Sequence, residues 1–331
     1  MKSIVSKILA LILTCIFFSC LQAQNKNVSW SNISTNSPSM HSENAMTYDT
    51  YYQKIINYGG RTGFPDFNDV NETWTFDYDL KRWKNMKPKA SPPWRSSHAM
   101  TYDAIRHRTL LFGGNDFKKP FNDLWVYDYK LNTWTEIQTT NTPEPRQMHG
   151  LIYIQDKDIV LLYGGRRSNG GSDFTDTWEL NCKTMTWTKL DTKVSPTESD
   201  HISIVYDELA KKAILYAYHT TWTYDFEAKN WSKLNLPNTP DSDHCNMIYS
   251  PHLNKIILFG DSENFRGMQT WSLDYSNQLW SKITPRRFPK IKYFTHNLIE
   301  HASMVYLTDK KVIIHYGGCC SNQTLELKLH K

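Results

Sequence analysis

The chain has 331 residues, of which 40% are hydrophobic and 21% are charged, as is usual for a soluble globular protein. Its formal net charge of +5 is too small to indicate nucleic acid or a membrane surface as a partner. The length admits one large domain or two ordinary ones. The 12 Trp, 19 Tyr and 14 Phe favour a β-rich fold, because flat rings pack well on pleated sheets.

Residues 1–23 have the pattern of a signal peptide. Lys2 and Lys7 accompany a short apolar run, and Ala23 stands at a suitable cleavage point. The run of about 11 residues is too short for a helix that spans a bilayer, which needs about 20. We therefore expect a protein without a transmembrane segment that is exported to the periplasm, the cell surface or the medium. The stretch FFSC also resembles a bacterial lipobox, so a lipid anchor at Cys20 is the open alternative.

A pair of tryptophans nine residues apart, in the pattern Trp-x-[Phe/Tyr/Leu]-[Asp/Asn]-x5-Trp, recurs along the chain. It starts at Trp74, Trp125, Trp178, Trp222 and Trp271 and ends at Trp83, Trp134, Trp187, Trp231 and Trp280. Before each copy lie a short segment with a tyrosine and an apolar run, which leads in most copies into Gly-Gly, as in TLLFGG. Turn-forming residues separate these segments and no long helical period occurs. Each unit of about 50 residues therefore predicts four short strands.

Six such units predict an all-β fold, a six-bladed β-propeller with four-stranded blades. The last unit ends before a fourth strand, whereas Trp30 lies 18 residues before Tyr48, just as Trp231 lies 18 residues before Tyr249. An N-terminal strand at about 28–33 is therefore expected to complete the sixth blade and close the ring. We predict one domain over residues 24–331, with blades at about 41–86, 93–137, 146–190, 199–234, 243–283 and 296–327 plus 28–33.

The apolar run with Gly-Gly and a following Trp is similar to the Kelch motif, and PPWRSSH and PEPRQMH, which contain Arg95 and Arg146, resemble its lead-in. The chain thus resembles bacterial exported Kelch-repeat proteins and the propeller of the galactose oxidase superfamily. That resemblance implies a protein-binding propeller in most members and an enzyme in a few. Galactose oxidase would imply copper held by two tyrosines and two histidines, which cannot be placed here, so we expect no cofactor. The fourth blade departs from the motif, with Ala217-Tyr218 in place of Gly-Gly.

A histidine precedes the first strand of five units, and Asn44 stands there in the first. The histidines are His98, His149, His201, His244 and His301. Imidazoles around an axis could bind a metal. Innermost strands direct side chains mainly between blades, however, so we interpret these residues as structural groups that satisfy the backbone at blade junctions, and no metal is predicted. Asp200 is expected to face away from His201, because adjacent strand residues alternate. The outer-strand tryptophans are assigned a structural role too: Trp30, Trp83, Trp134, Trp187, Trp231 and Trp280.

The loops between second and third strands and the connectors between blades are expected on one face of the propeller. Arginine and exposed aromatic residues are enriched at binding hot spots, although loop aromatics also pin their own loops. The candidate ligand-binding residues on this face are Arg61, Phe64, Arg95, Phe117, Arg146, Arg166, Arg167, Phe174, Phe265 and Arg266. The fourth blade has the shortest loop, which predicts a gap in the rim beside it.

These features predict a monomeric, non-enzymatic scaffold that binds a protein or a glycan on this face. The alternative is a carbohydrate-active enzyme, such as an acidic-sugar mutarotase or epimerase, that uses arginines and carboxylates of the same face. Sialic-acid mutarotases share the six-bladed architecture but no motif with this chain. Four cysteines outside the first 23 residues allow three pairings, and the sequence selects none of them: Cys182, Cys245, Cys319 and Cys320.

Overall fold

The computed structural model describes residues 28–34, 36–39, 41–62, 68–167, 173–242, 244–261, 267–287, 302–318 and 321–329. These residues form strands, turns and loops, with no helix among them. The strands make six four-stranded antiparallel sheets, which we call blades one to six.

Blades one to three follow one another along the chain. Their strands are β2 (Ala45–Asp49), β3 (Lys54–Tyr58), β6 (Thr73–Asp77) and β7 (Arg82–Asn85); β8 (Ala99–Asp103), β9 (Arg108–Phe112), β10 (Leu124–Asp128) and β11 (Thr133–Ile137); β12 (Gly150–Ile154), β13 (Ile159–Tyr163), β14 (Thr177–Asn181) and β15 (Thr186–Leu190). A small hairpin in the loop of blade one adds β4 (Arg61–Thr62) and β5 (Asn68–Asp69).

Blades four to six complete the set, and the last of them also takes the first strand of the chain. Their strands are β16 (Ser203–Asp207), β17 (Lys212–Ala217), β18 (Thr220–Asp225) and β19 (Asn230–Leu234); β20 (Cys245–Ser250), β21 (Lys255–Asp261), β22 (Met268–Asp274) and β23 (Leu279–Ile283); β24 (Ser303–Leu307), β25 (Val312–Tyr316), β26 (Thr324–Lys328) and β1 (Ser29–Asn32).

The blades form a closed ring around a central channel. Their first strands contact one another in the order β2, β8, β12, β16, β20, β24 and back to β2. This arrangement confirms the predicted six-bladed propeller. We call the end of the channel that carries the loops between second and third strands the loop face. The end that carries the turns between first and second strands is the turn face.

The ring is closed by the pairing of the two ends of the described chain. β1 lies antiparallel beside β26, with Trp30 opposite Leu327. The predicted closing strand is therefore confirmed. It gives blade six the same four strands as the other blades, so that no blade is left with a missing outer strand.

The hydrophobic core is divided among the six junctions between neighbouring blades. Each buried cluster takes residues from two adjacent blades; one of them joins Ile56 and Tyr58 of blade one to Leu111 and Trp134 of blade two. The outer-strand tryptophans lie on the fourth strands and are almost entirely buried in these junctions. The core is thus an assembly of equivalent interfaces, as expected of a repeat protein.

A hydrogen bond from the tryptophan to the neighbouring blade accompanies this packing. At five junctions the indole Nε1 donates to the Oγ1 atom of a threonine in the third strand of the preceding blade. The pairs are Trp30–Thr270 (3.2 Å), Trp83–Thr324 (2.7 Å), Trp134–Thr73 (2.9 Å), Trp231–Thr177 (2.9 Å) and Trp280–Thr221 (3.1 Å). At the sixth junction Leu124 occupies the threonine position, and Trp187 Nε1 has no acceptor among the described residues.

Candidate functional site

The loop-face opening of the channel is narrowed by one residue from each of four successive blades. Glu43, Ser97, Met148 and His201 all have left-handed backbone, with φ between 49° and 56°. Ser97 N donates to Glu43 O at 2.9 Å, and Met148 N donates to Ser97 O at 2.8 Å, so the backbone links neighbouring blades around the axis. We call these four residues the throat ring. Together with His244 they border a cavity of about 130 Å³.

The histidines occupy two different positions at this opening. His98 and His149 directly follow throat-ring residues, whereas His201 belongs to the ring and Ile202 follows it. The prediction that all the histidines share one repeat position is therefore wrong for His201. The sequence carries the signal: His98 and His149 precede the first-strand tyrosine by four residues, but His201, His244 and His301 precede it by five. His301 lies outside the described residues.

His149 is buried in the junction between blades two and three. Its ring contacts Phe112 edge to face, with centroids 5.5 Å apart, and its nitrogens have no hydrogen-bond partner among the described residues. The expectation that it satisfies backbone groups is thus wrong. Burial, reinforced by the charge of Arg146, lowers the pKa of His149 to about 3. The imidazole is therefore neutral at physiological pH and fills space.

Arg95 and Arg146 are fully buried, which contradicts the prediction that they belong to a ligand-binding surface. Arg146 binds both carboxylate oxygens of Asp176, at 2.7 and 3.2 Å, and donates to Gly164 O at 2.8 Å. Arg95 makes the equivalent bonds to Asp123 and Gly113 O. Each guanidinium also lies over a phenylalanine ring. These arginines therefore fasten a connector to the loop of its own blade.

Phe174 is one of those rings, and it is buried as well. The guanidinium carbon of Arg146 lies 4.0 Å from its centroid, and that of Arg167 lies 4.1 Å from it. Arg167 in turn pairs with Glu144. The prediction that Phe174 offers its ring to a ligand is thus wrong, because both arginines cover it. Phe174 instead has the other role expected of loop aromatics, because its packing against the two arginines holds its own loop in place.

Arg61 and Phe117 remain at the surface and lie together. Arg61 donates to Glu43 at 3.0 Å, to Asp69 at 3.0 Å and to Asn115 at 3.1 Å, which fixes the guanidinium in one orientation. Phe117 stacks on that guanidinium, with its centroid 4.0 Å from the central carbon, and stays 53% exposed. A rigid polar group therefore supports an exposed aromatic ring.

This pair borders a cleft of about 440 Å³ between blades one, two and three. We call it the basic cleft; it is lined by Arg61, Asn115, Phe117, Lys118, Lys119, Pro120, Gln147, Met148 and Arg166. The backbone N–H groups of Lys118 and Lys119 donate to Asp116 Oδ1, at 3.0 and 2.9 Å. Neither lysine forms an ion pair with a described residue, and both side chains are exposed. Phe64, Phe265 and Arg266, also predicted for this face, lie outside the described residues.

The rim is low beside blade four, where a two-residue turn at Tyr218 and His219 replaces a loop. Asp200 Oδ2 lies 3.2 Å from His201 Nδ1, and the Tyr218 hydroxyl donates to Asp200 Oδ1 at 3.0 Å. The expectation that Asp200 and His201 face opposite sides is wrong, because both precede β16 and His201 has left-handed backbone. The hydrogen bond with His201 lowers the pKa of the Asp200 carboxyl, and burial opposes this shift.

Arg166, predicted as a ligand-binding residue, and His244, predicted as a structural one, also belong to this group, although the sequence did not place them together. Arg166 Nε lies 3.4 Å from Asp200 Oδ2, and the ring of His244 lies edge to face with that of His201 at 4.7 Å. Among the residues that the structure describes, no group of three or more His, Cys, Asp or Glu side chains is placed to hold a metal ion. Nor does any helix within those ranges have the length and apolar character needed to cross a membrane.

Repeated Gly-Gly and Trp positions on six four-stranded blades define a Kelch-type β-propeller. Residues 15–216 match the KLHDC2/KLHL20/DRC7 Kelch-repeats domain, and the chain belongs to this family. It is 25% identical over 243 residues to the dynein alpha chain of the flagellar outer arm of Chlamydomonas reinhardtii, a match that covers 65% of this chain and 5% of that protein.

Two further relatives show a similar degree of likeness. Acyl-CoA-binding domain-containing protein 5 of Arabidopsis thaliana is 27% identical, over 57% of this chain and 29% of its own length. Kelch domain-containing protein 10 of Xenopus laevis is 29% identical, over 40% of this chain and 33% of its own length. The matched regions cover no more than about a third of any of these three proteins, so the likeness concerns the propeller and not the remainder of the relatives.

Proposed function

We propose that this protein is a non-enzymatic scaffold that binds a partner protein in the basic cleft of its loop face. The observation that carries the proposal is the exposed Phe117 ring, supported by the fixed guanidinium of Arg61 and flanked by Lys118 and Lys119. An exposed aromatic residue on a rigid support loses little conformational entropy on binding, and such residues are enriched at hot spots.

The chemistry of the cleft favours a partner segment that combines acidic and apolar residues. Lys118 and Lys119 supply positive charge at the rim, whereas Arg166 is paired with Asp173 and Asp200, and Phe117 supplies the apolar contact. The side-chain oxygens of Asn115 and Gln147 already accept hydrogen bonds within the protein. Charge pairs at an exposed rim contribute mainly to association rate and specificity, so the apolar contact is expected to hold most of the affinity.

Selection from a random peptide display library tests this proposal. We expect enrichment of peptides with clustered Asp or Glu beside a hydrophobic residue. Phe117→Ala should weaken binding by roughly tenfold or more, and the double variant Lys118→Ala/Lys119→Ala should weaken it less, by roughly threefold to fivefold. Lys130→Ala, which removes an exposed lysine of the turn face, is the matched control and should bind as the parent does.

Absence of enrichment, or enrichment that survives both cleft variants, would sink the proposal. An acidic glycan presents similar anionic groups, so a glycan array is the second arm. Binding of acidic glycans in place of peptides, with the same dependence on Phe117 and the two lysines, would make the scaffold a glycan-binding one.

We further propose that the protein is exported by means of residues 1–23. The support is the sequence pattern around Lys2, Lys7 and Ala23, with Cys20 as the site of the alternative lipid anchor. Intact-mass measurement of the protein from a bacterial envelope fraction separates the two forms. A chain that starts at Gln24 indicates a protein without an anchor, a lipidated chain that starts at Cys20 indicates a lipoprotein, and an uncleaved chain contradicts export.

The group of Asp200, His201 and Tyr218 favours a second candidate, a mutarotase or epimerase of acidic sugars. An imidazole that is oriented by a carboxylate can accept and return a proton, and Arg166 beside it could bind a sugar carboxylate. Magnetisation-exchange NMR of an acidic sugar would show catalysed anomer exchange that is lost in His201→Gln. Exchange at the uncatalysed rate would exclude this candidate.

A further inference from the structure

The turn-face end of the channel opens into a wider cavity of about 700 Å³. One tyrosine from the first strand of every blade lines it: Tyr48, Tyr102, Tyr153, Tyr206, Tyr249 and Tyr306. We call this cavity the tyrosine bowl. Its volume lies in the range of sites for small molecules, about 300–1,000 Å³. It is separate from the basic cleft, which lies at the other end of the channel.

Four of the six tyrosine hydroxyls of the bowl donate to carboxylates, whereas that of Tyr249 donates to Asn254 Oδ1 at 2.9 Å. Tyr102 donates to Asp49 at 2.7 Å, Tyr153 to Asp158 at 3.1 Å and Tyr206 to Asp156 at 3.0 Å. Tyr48 likewise donates to Asp309. These hydroxyls are thus engaged as donors to anionic groups. Donation to an anion increases the electron density of the phenol ring, and the negative face of an aromatic ring attracts cations.

The wall of the bowl also carries its own negative charge. Asp156 and Glu208 line it directly, and Lys211 is the only cationic side chain among the described residues that line it. The Lys211 ammonium lies 3.2 Å from Asp156 Oδ2 and 5.9 Å from the centroid of the Tyr206 ring. The protein thus already places one alkylammonium group against a carboxylate and a ring of this bowl.

We propose that the tyrosine bowl binds a small alkylammonium cation of the polyamine class. Aromatic rings and carboxylates are the groups that recognise ammonium ions in proteins, and the bowl provides both around a space large enough to admit a short diamine or triamine. Anionic ligands are disfavoured because Asp156 and Glu208 repel them. Lys211 marks one binding position and competes with the ligand for it.

Isothermal titration with spermidine at constant ionic strength tests the proposal, with magnesium chloride as the reference cation. We expect saturable binding of spermidine and none of magnesium in the same range. Asp156→Asn and Glu208→Gln should each weaken binding by roughly fivefold. Lys211→Met should strengthen it, which no general loss of structure would produce. Glu136→Gln, which removes an exposed carboxylate of β11, is the matched control and should leave binding unchanged.

Three outcomes would overturn the proposal. The first is the absence of saturable binding at millimolar spermidine. The second is equal binding by the double variant Asp156→Asn/Glu208→Gln and the parent, which would place the cation elsewhere. The third is an equal loss in Glu136→Gln, which would indicate non-specific attraction. The melting temperature of each variant without ligand shows that the fold is retained. This proposal and the proposed function can fail separately, because the basic cleft and the tyrosine bowl share no lining residue. Lys118→Ala/Lys119→Ala should therefore leave spermidine binding unchanged.

Discussion

At the scale of single residues, the buried histidine of a blade junction links stability to pH. The folded pKa of His149 is about 3, whereas an unfolded histidine titrates near 6.5. Above pH 6.5 the neutral imidazole therefore makes its full contribution to the free energy of unfolding. Below it the unfolded chain binds a proton that the folded chain cannot, so stability falls as the pH drops towards 3.

Asn44 occupies the same position in blade one, which suggests His149→Asn as a non-titrating replacement. Between pH 7 and pH 5 the parent should lose about 2 kcal/mol more unfolding free energy than the variant. Urea denaturation at both pH values measures the difference. His107→Asn, at an exposed histidine of the turn face, should leave the pH dependence of the parent unchanged. Equal pH dependence in His149→Asn and the parent would contradict the assignment.

The tryptophan–threonine pair of each junction gives a second prediction at this scale. Thr177 is fully buried and accepts the hydrogen bond of Trp231. Thr177→Val keeps the shape but leaves the indole N–H without an acceptor, which should cost about 1–2 kcal/mol of unfolding free energy. The same replacement at the exposed Thr135 should change it by less than about 0.5 kcal/mol. Equal effects at the two sites in chemical denaturation would show that the bond contributes nothing.

At the scale of the strand and its loop, the glycine pair ends the second strand where the next blade comes closest. Gly113 has φ of +66°, and a Cβ atom there would lie 2.6 Å from Arg146 O and 2.9 Å from His149 Cε1. A side chain would thus strain the backbone and push the connector of blade three away. The glycine motif of one blade and the arginine–histidine motif of the next are thus two halves of one junction, as Gly59 of blade one likewise meets Arg95 and His98 of blade two.

Gly113→Ala is therefore expected to cost about 3 kcal/mol or more, as the sum of backbone strain and a steric clash. Gly267→Ala is the comparison, because Gly267 also has positive φ, +111°, but no described atom lies within 4 Å of its Cβ position. We expect about 1–3 kcal/mol there, from backbone strain alone. Thermal unfolding of both variants separates strain from clash. Similar losses would show that the approach of blade three contributes little.

Strands and turns were readable from the sequence because period-two patterns, Gly-Gly and paired tryptophans are local signals. The direction of a loop side chain, in contrast, depends on partners that are distant in the sequence. Arg95 and Arg146 read as exposed basic residues until Asp123 and Asp176 are placed beside them, 28 and 30 residues further along the chain. The predicted repeat position of His201 is wrong by one residue. Its spacing of five residues to Tyr206, against four for His98 and His149 and their tyrosines, indicates the correct position.

At the scale of the whole molecule, stability depends on the seam between β1 and β26. Trp30 is 2% exposed and lies 4.2 Å from Phe259 of blade five, centroid to centroid. Trp30→Ala should lower the unfolding free energy by about 3–5 kcal/mol, because the indole of this closing strand fills the junction between blades five and six. Trp94→Ala, at a half-exposed tryptophan, is the control and should cost less than about 1 kcal/mol. Guanidinium denaturation followed by circular dichroism measures both; a small effect of Trp30→Ala would mean that the indole contributes little to the seam.

The sequence repeat predicts the ring of six blades, but it does not predict the basic cleft or the tyrosine bowl. Both cavities depend on residues of three or more blades, so their shapes arise only after the ring has closed. Arg61 and Phe117 were selected from the sequence by residue type alone. Their stacking and the three bonds that hold the guanidinium depend on Glu43, Asp69 and Asn115, which come from separate segments.

The throat ring has a consequence for protein engineering. Its four members share left-handed backbone. Main-chain hydrogen bonds join Glu43, Ser97 and Met148; side-chain bonds also link Ser97 to Glu43 and Glu43 to Arg61, whereas Met148 takes part through its main chain. At Met148 the scaffold therefore requires a conformation and not a particular side chain. A library of Asn, Asp and Gly at this site, residues that tolerate positive φ, would vary the chemistry of the channel opening while the bonds of Glu43 stay as they are.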